Sequence, residues 1–136
     1  MKRKFQIWFT RFHGRLYRLL GTKTPWSMSL LLLTTTGRKS GKRRSLPLLY
    51  VQDDDNLALI GSNAGSDKPP TWWLNLQANP NAIARVGKED RRVVAEQASD
   101  EDAKRLWPEF VKIYKPYEGY RKKTERDFPI VFLKLA

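Results

Sequence analysis

Short apolar runs separated by turn residues occupy most of the chain from residue 29 onward, and they constrain the fold more than any other feature. The runs SLLLLTTTG, RRSLPLLYVQ, LALIGSNAG, AIARVG, RRVVAEQAS and PIVFLKLA each have the length of a single strand. The tetrapeptide DDDN and the tripeptide KED separate neighbouring runs and are typical of hairpin turns. Six strands joined mostly by hairpins predict an antiparallel sheet that closes into a barrel, because closure removes exposed strand edges.

Two segments with helical spacing interrupt these runs. In PPTWWLNLQANPN, Pro70 suits the first helical turn, and Asn79-Pro80 ends the helix. In SDEDAKRLWPEFVKIYKPYEGYRKKTERDF, Ser99 and the acidic residues after it are typical of a helix N-terminus, and Pro108 predicts a bend. The chain is therefore expected to be mainly β with helices, an α+β protein.

The first 22 residues have a different pattern. Aromatic and leucine side chains recur there at helical spacing, with arginine and lysine beside or opposite them, which predicts a basic amphipathic helix over residues 1–22 and a barrel domain over residues 23–136. Two interpretations stay open: the helix packs on the barrel or on a second subunit, or residues 1–20 dock on an anionic membrane. The sequence contains no apolar run long enough to span a membrane and no signal peptide. We therefore expect a cytoplasmic protein, either free or held as a peripheral protein on the inner face of the cell membrane.

Charge and composition narrow the chemistry. The 136 residues carry a formal net charge of +12, which predicts an anionic partner. The chain has no cysteine and a single histidine, His13, so a thiol nucleophile, a Ser-His-Asp triad and a histidine or thiolate metal site all lack their parts. The acidic triplet Asp53, Asp54 and Asp55 is interpreted as a hairpin turn, and we expect no metal.

The basic segment TTTGRKSGKRR, residues 34–44, is the strongest candidate for a binding loop. Three residues separate its glycines, whereas the phosphate loop of nucleotide triphosphatases needs four, so it is not such a loop. A turn bracketed by glycines can still present several backbone N–H groups and arginine side chains to one anion. Taken alone, the pattern fits a solvated turn, a nucleic-acid patch or a site for an anionic cofactor.

Three segments together resemble the deazaflavin-dependent nitroreductase family, which uses coenzyme F420. They are TTTGRKSGKRRSLPLLY, GSNAGSDKPPTWWLNLQANP and WPEFVKIYKPYEGYRKKTERDFPIVFL, in the family's order and spacing. The similarity covers roughly residues 28–136 and implies a split β-barrel like that of flavin-binding oxidases. It also implies an enzyme that transfers a hydride from reduced coenzyme F420, an 8-hydroxy-5-deazaflavin, to an organic acceptor such as a quinone or a nitroaromatic compound, with FMN as the alternative cofactor.

The resemblance further implies a set of cofactor contacts. Residues of the basic loop would hold the phosphate and acidic tail of the cofactor: Arg38, Lys39, Ser40, Gly41 and Arg44. Residues of the next strand would lie beside the ring: Pro47, Leu48 and Leu49. The segment GSNAG would contact the ring or its phosphate through Ser62, Asn63 and Ala64, and the same wall would be completed by Lys68, Trp72 and Asn75.

Three tyrosines, Tyr114, Tyr117 and Tyr120, recur every third residue in IYKPYEGY. The resemblance implies that they line the substrate side and donate a hydrogen bond or a proton to the acceptor. A phenol can donate at neutral pH but is a poor base. The other interpretation of these residues is packing in the core or at an interface.

Two other kinds of protein would also suit the positive charge. A nucleic-acid-binding barrel would suit the positive charge, but the tryptophans cluster with prolines in a helical segment, so no nucleic acid is expected. A membrane-binding module without catalysis is the second rival. The expected state is a monomer or a homodimer.

Overall fold

The computed structural model describes residues 30–136, so the helix predicted over residues 1–22 lies outside the described residues. The described part contains seven strands and three helices. The strands are β1 (Leu30–Thr36), β2 (Arg43–Leu49), β3 (Val51–Asp53), β4 (Asn56–Ile60), β5 (Asn81–Val86), β6 (Glu89–Gln97) and β7 (Ile130–Leu135). The helices are α1 (Thr71–Ala78), α2 (Asp100–Ile113) and α3 (Tyr117–Lys123), and a 3₁₀ turn covers Asn63–Gly65.

The strands form one antiparallel sheet in the order β2-β1-β5-β6-β7-β4-β3. The predicted antiparallel sheet is confirmed, but the predicted count of six strands is wrong. The run RRSLPLLYVQ forms two strands, because its first part pairs with β1 and its last part pairs with β4. The partner changes at Tyr50, and such a change is typical of a barrel corner. The two ends of the sheet order, β2 and β3, are joined in the chain through Tyr50, and within the described residues they are not paired with each other.

Pro47 lies in the edge strand β2, opposite Leu32 of β1. Because proline has no backbone N–H, sheets tolerate it at edges and rarely in central strands. The far side of β2 consequently needs no sheet partner within the described residues, and this strand becomes a wall of the cleft described below.

The helices begin and end close to the expected places. Ser99 caps α2, since its hydroxyl accepts a hydrogen bond from the Asp102 N–H at 3.1 Å. The second helical segment is divided into α2 and α3, because Pro116 has no N–H with which to continue the first helix. None of the helices in residues 30–136 is long and apolar enough to cross a membrane.

The apolar core has two parts, one on each face of the sheet. Alternate residues of β4 and β7 belong to different parts, because successive side chains of a strand point to opposite faces. The first part, inside the barrel, includes Leu31, Leu33, Leu57, Leu59, Val131, Leu133 and the α1 residues Trp72, Trp73 and Leu76. The second part, under α2 and α3, includes Ala58, Ile60, Leu106, Phe110, Tyr117, Ile130 and Phe132. Both parts contribute side chains to the same cleft.

Candidate active site

A cleft of about 640 Å³ lies between the loop that follows β1, strand β2, the turn after β4 and helix α1. Its apolar surface comes from Pro70 and from residues that belong to one part of the core or pack against it: Leu46, Leu48, Leu49, Ile60 and Trp72. Its cationic rim comes from Arg38, Lys39 and Arg44. Among the described residues that line the cleft there is no Asp or Glu. The cleft therefore suits a ligand that is partly apolar and partly anionic.

The loop between β1 and β2 closes on itself through short backbone hydrogen bonds. The Gly37 N–H donates to the Lys42 carbonyl at 2.7 Å, and the Gly41 N–H donates to the Gly37 carbonyl at 2.8 Å. Gly41 has a φ of 70°, which a side chain would disfavour. A Cβ at Gly37 would lie 2.7 Å from the Ser40 hydroxyl oxygen, which itself accepts a hydrogen bond from the Lys42 N–H at 3.1 Å. At both positions the local structure therefore favours glycine over a residue with a side chain.

Asn75 of α1 anchors this loop. Its side-chain oxygen accepts a hydrogen bond from the Arg38 N–H at 3.1 Å, and its side-chain nitrogen donates to the Thr35 hydroxyl at 3.3 Å. Asn75 and Thr35 are each only 2% exposed, so the loss of either partner would leave a buried polar group without a hydrogen bond. The position of the cationic rim therefore depends on a contact with a helix 37 residues further along the chain.

The turn after β4 has a constrained backbone. Asn63 and Ala64 have positive φ angles of 45° and 55°, which cost non-glycine residues about 1 to 2 kcal/mol each. Gly65 follows with a φ of 80°, and a Cβ there would lie 2.8 Å from the Tyr120 carbonyl oxygen. The backbone of the turn therefore packs directly against the backbone of α3. The two strained residues, Asn63 and Ala64, line the cleft.

Of the three tyrosines Tyr114, Tyr117 and Tyr120, only Tyr117 lines the cleft. It is 7% exposed, and burial is the main cause that raises the pKa of its hydroxyl, followed by the neighbouring Tyr114 and Tyr120. The hydroxyls of Tyr114 and Tyr120 share a hydrogen bond at 3.1 Å, which is the main cause that raises the pKa of Tyr114. The phenols of Tyr114 and Tyr117 are therefore protonated at neutral pH, and the Tyr117 hydroxyl can act as a donor and not as a base.

The structure brings most of the predicted site residues together. Those that line the cleft are Arg38, Lys39, Ser40, Arg44, Leu48, Leu49, Ser62, Asn63, Ala64, Trp72, Asn75 and Tyr117. Those that do not line it are Gly41, Pro47, Lys68, Tyr114 and Tyr120. The Lys68 carbonyl instead accepts a hydrogen bond from the Asn63 side chain at 2.9 Å, which holds the turn.

Several lining residues were missed by the sequence reasoning: Thr35, Gly37, Ser45, Leu46, Ile60, Pro70 and Thr71. Strand alternation was a signal for Leu46, because it shares a face of β2 with Leu48. Of the three predicted neighbours in β2, Pro47 lies between Leu46 and Leu48 on the opposite face and does not line the cleft, whereas Leu49, the last residue of the strand, does line it. The sequence offers no comparable signal for Thr35, which is one of three consecutive threonines.

The fold is that of a split β-barrel. A solved structure of HutZ, described as a heme storage protein from Vibrio cholerae, matches with a TM-score of 0.63 at 14% identity and covers 90% of this chain and 89% of that chain. At this low identity the match shows the fold alone. A more similar structure, described as an F420-H2 dependent reductase (FDR-A), has a TM-score of 0.71 and 34% identity and covers 78% of this chain and 94% of that one.

The family model for F420H(2)-dependent quinone reductase matches residues 8–134, and the chain belongs to this family. An F420H(2)-dependent quinone reductase from Mycobacterium tuberculosis is 33% identical over an alignment of 141 positions, which covers 98% of this chain and 94% of that protein. A further solved structure, described as a domain-swapped dimer, has a TM-score of 0.71 and 30% identity and covers 91% of this chain and 97% of that one.

Proposed function

We propose that the cleft binds coenzyme F420 and that a quinone is reduced there. Family membership makes the chain an F420-dependent oxidoreductase. The observation that supports the location is the division of the cleft into a cationic rim and an apolar wall, with no carboxylate among its described lining residues. Such a division suits a cofactor with an apolar ring system and an anionic tail.

The residues present fit this cofactor in charge. Arg38, Lys39 and Arg44 would hold its phosphate and acidic tail, since guanidinium groups bind phosphate through paired hydrogen bonds. Leu46 and Leu48 would lie beside the ring, with the turn at residues 62–64 on the opposite wall. The reduced cofactor, when bound, supplies the hydride. The task of the chain is then to orient the two reactants and to exclude water.

Tyr117 is proposed to donate a hydrogen bond to an oxygen of the acceptor. Its phenol is buried and lines the same cleft as the basic loop. Its raised pKa keeps the proton on the phenol over the neutral range, so a carbonyl oxygen that gains electrons would meet a donor. Tyr114 and Tyr120, whose hydroxyls bond each other, would hold the ring of Tyr117 in place; the Tyr114 and Tyr117 ring centroids are 5.0 Å apart.

Two measurements test this function. Titration of the purified protein with oxidised coenzyme F420 is expected to quench the cofactor's fluorescence saturably, and FMN and an oligonucleotide serve as competitors. A water-soluble quinone is expected to accelerate the oxidation of reduced F420, and a nitroaromatic compound tests the second acceptor class. Absence of saturable F420 binding would contradict the proposal, and tighter binding of FMN would assign the cleft to a flavin.

We also propose that residues 1–20 hold the protein at an anionic membrane surface, where an apolar quinone is dissolved. Their apolar residues recur at helical spacing, with cationic residues beside or opposite them, and this pattern suits a helix that lies in the membrane interface. In this proposal the enzyme is a peripheral protein of the inner face of the cell membrane, with its barrel domain at residues 23–136. If removal of residues 1–20 leaves partitioning onto anionic vesicles unchanged, the membrane proposal fails.

A homodimer is proposed as the assembly. The proposal is supported by the relative described as a domain-swapped dimer, which covers 91% of this chain. Light scattering of the purified protein separates a monomer from a dimer.

A further inference from the structure

Arg126 lies outside the cleft, yet it holds the turn that forms one wall of it. Its guanidinium makes five hydrogen bonds, all to backbone carbonyl oxygens. The distances are 3.1 Å to Gly61, 3.0 Å to Ser62, 3.0 and 3.2 Å to Ser66, and 3.3 Å to Asp127. An arginine side chain has five N–H donors, so each of them is used. No carboxylate pairs with Arg126 among the described residues.

This arrangement orients the peptide groups of the turn. In a planar trans peptide the C=O and N–H point in opposite directions. Because the carbonyls of Gly61 and Ser62 face Arg126, the N–H groups of Ser62 and Asn63 point away from it. Ser62 and Asn63 line the cleft, whereas Arg126 does not. Within the described residues, these two N–H groups donate to no protein group.

The backbone conformation at the same place supports this orientation. Ser62 is right-handed, with φ −77° and ψ −34°, and Asn63 is left-handed, with a φ of 45°. This succession of a right-handed and a left-handed residue turns neighbouring N–H groups toward one point and favours an electronegative atom there. A left-handed Asn63 and a left-handed Ala64 need compensation from the surroundings. The hydrogen bonds of Arg126 are such a compensation.

The neighbours of Arg126 hold it in turn. Its guanidinium carbon lies 5.0 Å from the centre of the Phe128 ring. The backbone N–H of Arg126 donates to the Thr124 hydroxyl at 3.2 Å, and that hydroxyl donates to the Asp67 carboxylate at 2.6 Å. The segment that follows α3 is thus fastened to both ends of the turn.

We infer that Arg126 is a positioning residue, which gathers the carbonyls of Gly61, Ser62 and Ser66 so that the N–H groups of Ser62 and Asn63 face electronegative atoms of the bound cofactor. This inference rests on the proposed binding of coenzyme F420 in the cleft. According to this inference, Arg126 acts through the fixed planar arrangement of its five N–H donors, and its positive charge alone is not sufficient.

The test compares Arg126→Ala, Arg126→Lys and Arg92→Ala with the full wild-type chain. Arg92 is exposed and lines neither this cleft nor the separate cleft that Arg126 lines, so its loss is a matched change of charge. We expect both Arg126 variants to bind oxidised F420 about tenfold more weakly, the effect of losing one to two oriented hydrogen bonds. We expect Arg92→Ala to bind like the wild type.

Steady-state kinetics separate positioning from folding. A positioning role predicts a raised KM for reduced F420 with little change in kcat at saturation. A merely structural role predicts a lower kcat in proportion to the folded fraction, measured by circular dichroism, with KM unchanged, and this result would overturn the inference. Recovery of wild-type affinity in Arg126→Lys would also overturn it, because charge would then be sufficient.

Chemical rescue compares the Arg126→Ala variant with itself, in the presence and in the absence of an added guanidinium ion. Arg126 lines a second cleft of about 810 Å³, through which a small cation can reach the position of its guanidinium. We expect millimolar guanidinium chloride, but not sodium chloride at equal ionic strength, to restore part of the F420 affinity of Arg126→Ala. Equal effects of the two salts would contradict the geometric role. If the wild type itself does not bind F420, the proposed function fails along with the inference, whereas unchanged binding by both Arg126 variants refutes the inference alone.

Discussion

The two walls of the cleft are held by different means. The basic loop, residues 34–44, closes between Gly37 and Lys42 through its own backbone hydrogen bonds, and Asn75 anchors it to helix α1. The turn at residues 61–66 is held from outside, by Arg126 and by the backbone of α3. A change in the loop should therefore act mainly on ligand binding, whereas a change in the turn should act on the fold and the ligand together.

The largest effect is expected for Gly65→Ala, which tests the turn. Its Cβ would lie 2.8 Å from the Tyr120 carbonyl oxygen and 2.9 Å from the Tyr120 Cα, both of them backbone atoms that cannot easily move. The cost of overpacking and of a positive φ should lower the free energy of unfolding by about 3 kcal/mol. Urea denaturation measures this loss. An unchanged stability would show that α3 moves freely relative to the turn.

Arg44→Gln tests the cationic rim and is expected to have the next largest effect. It removes a charged donor that lines the cleft, and the binding of F420 should weaken by about 1.5 to 3 kcal/mol with the fold intact. Arg43→Gln is the matched control, since Arg43 is exposed, precedes Arg44 in β2 and does not line the cleft. Equal losses in the two variants, measured by fluorescence titration, would mean that only net charge matters.

Gly41→Ala makes the same substitution in the basic loop as Gly65→Ala makes in the turn. Gly41 has a φ of 70°, but within the described residues no atom beyond its two chain neighbours lies within 4 Å of a Cβ built there. Only the backbone conformation is penalised, so the free energy of unfolding should fall by about 1 kcal/mol. The contrast between the two walls would disappear if this variant lost as much stability as Gly65→Ala.

A pH titration of stability provides a baseline away from both walls. Asp53 accepts paired hydrogen bonds from Arg105 at 2.9 Å, and these hydrogen bonds are the main cause that lowers its pKa from 3.8. A carboxyl group with a lowered pKa stabilises the fold above the unfolded value and loses this contribution as the pH falls through the folded value. The effect should be small, because an exposed ion pair contributes little. In Asp53→Asn the part of the acid dependence below pH about 4 should be weaker, and Asp54→Asn serves as the control.

The difference between the walls also explains what the sequence could predict. The basic loop is local, with its glycines, cations and turn within eleven residues, and its place at the cleft followed from the family resemblance. The strand runs were recognised as well, but the division at Tyr50 was not, because it depends on which strand pairs with each half of the run.

Arg126 could not be predicted as a partner of the turn. Its acceptors in the turn are backbone carbonyls 60 to 65 residues away, and every residue type has a carbonyl, so no side-chain pattern predicts the contact. The same holds for Thr35, whose role depends on the placement of α1. Asn75 was recognised only through the family resemblance, which does not reveal that it anchors the loop.

The alternation along β4 and β7 restricts how this protein can change. Neighbours such as Leu59 and Ile60 serve different parts of the core, and Ile60 also lines the cleft. Inserting one residue into β4 would exchange the two sets of side chains, so both parts of the core would be disturbed at once. Length variation is therefore confined to the hairpins, and a new substrate preference must arise by substitution along the cleft wall and not by sliding a strand.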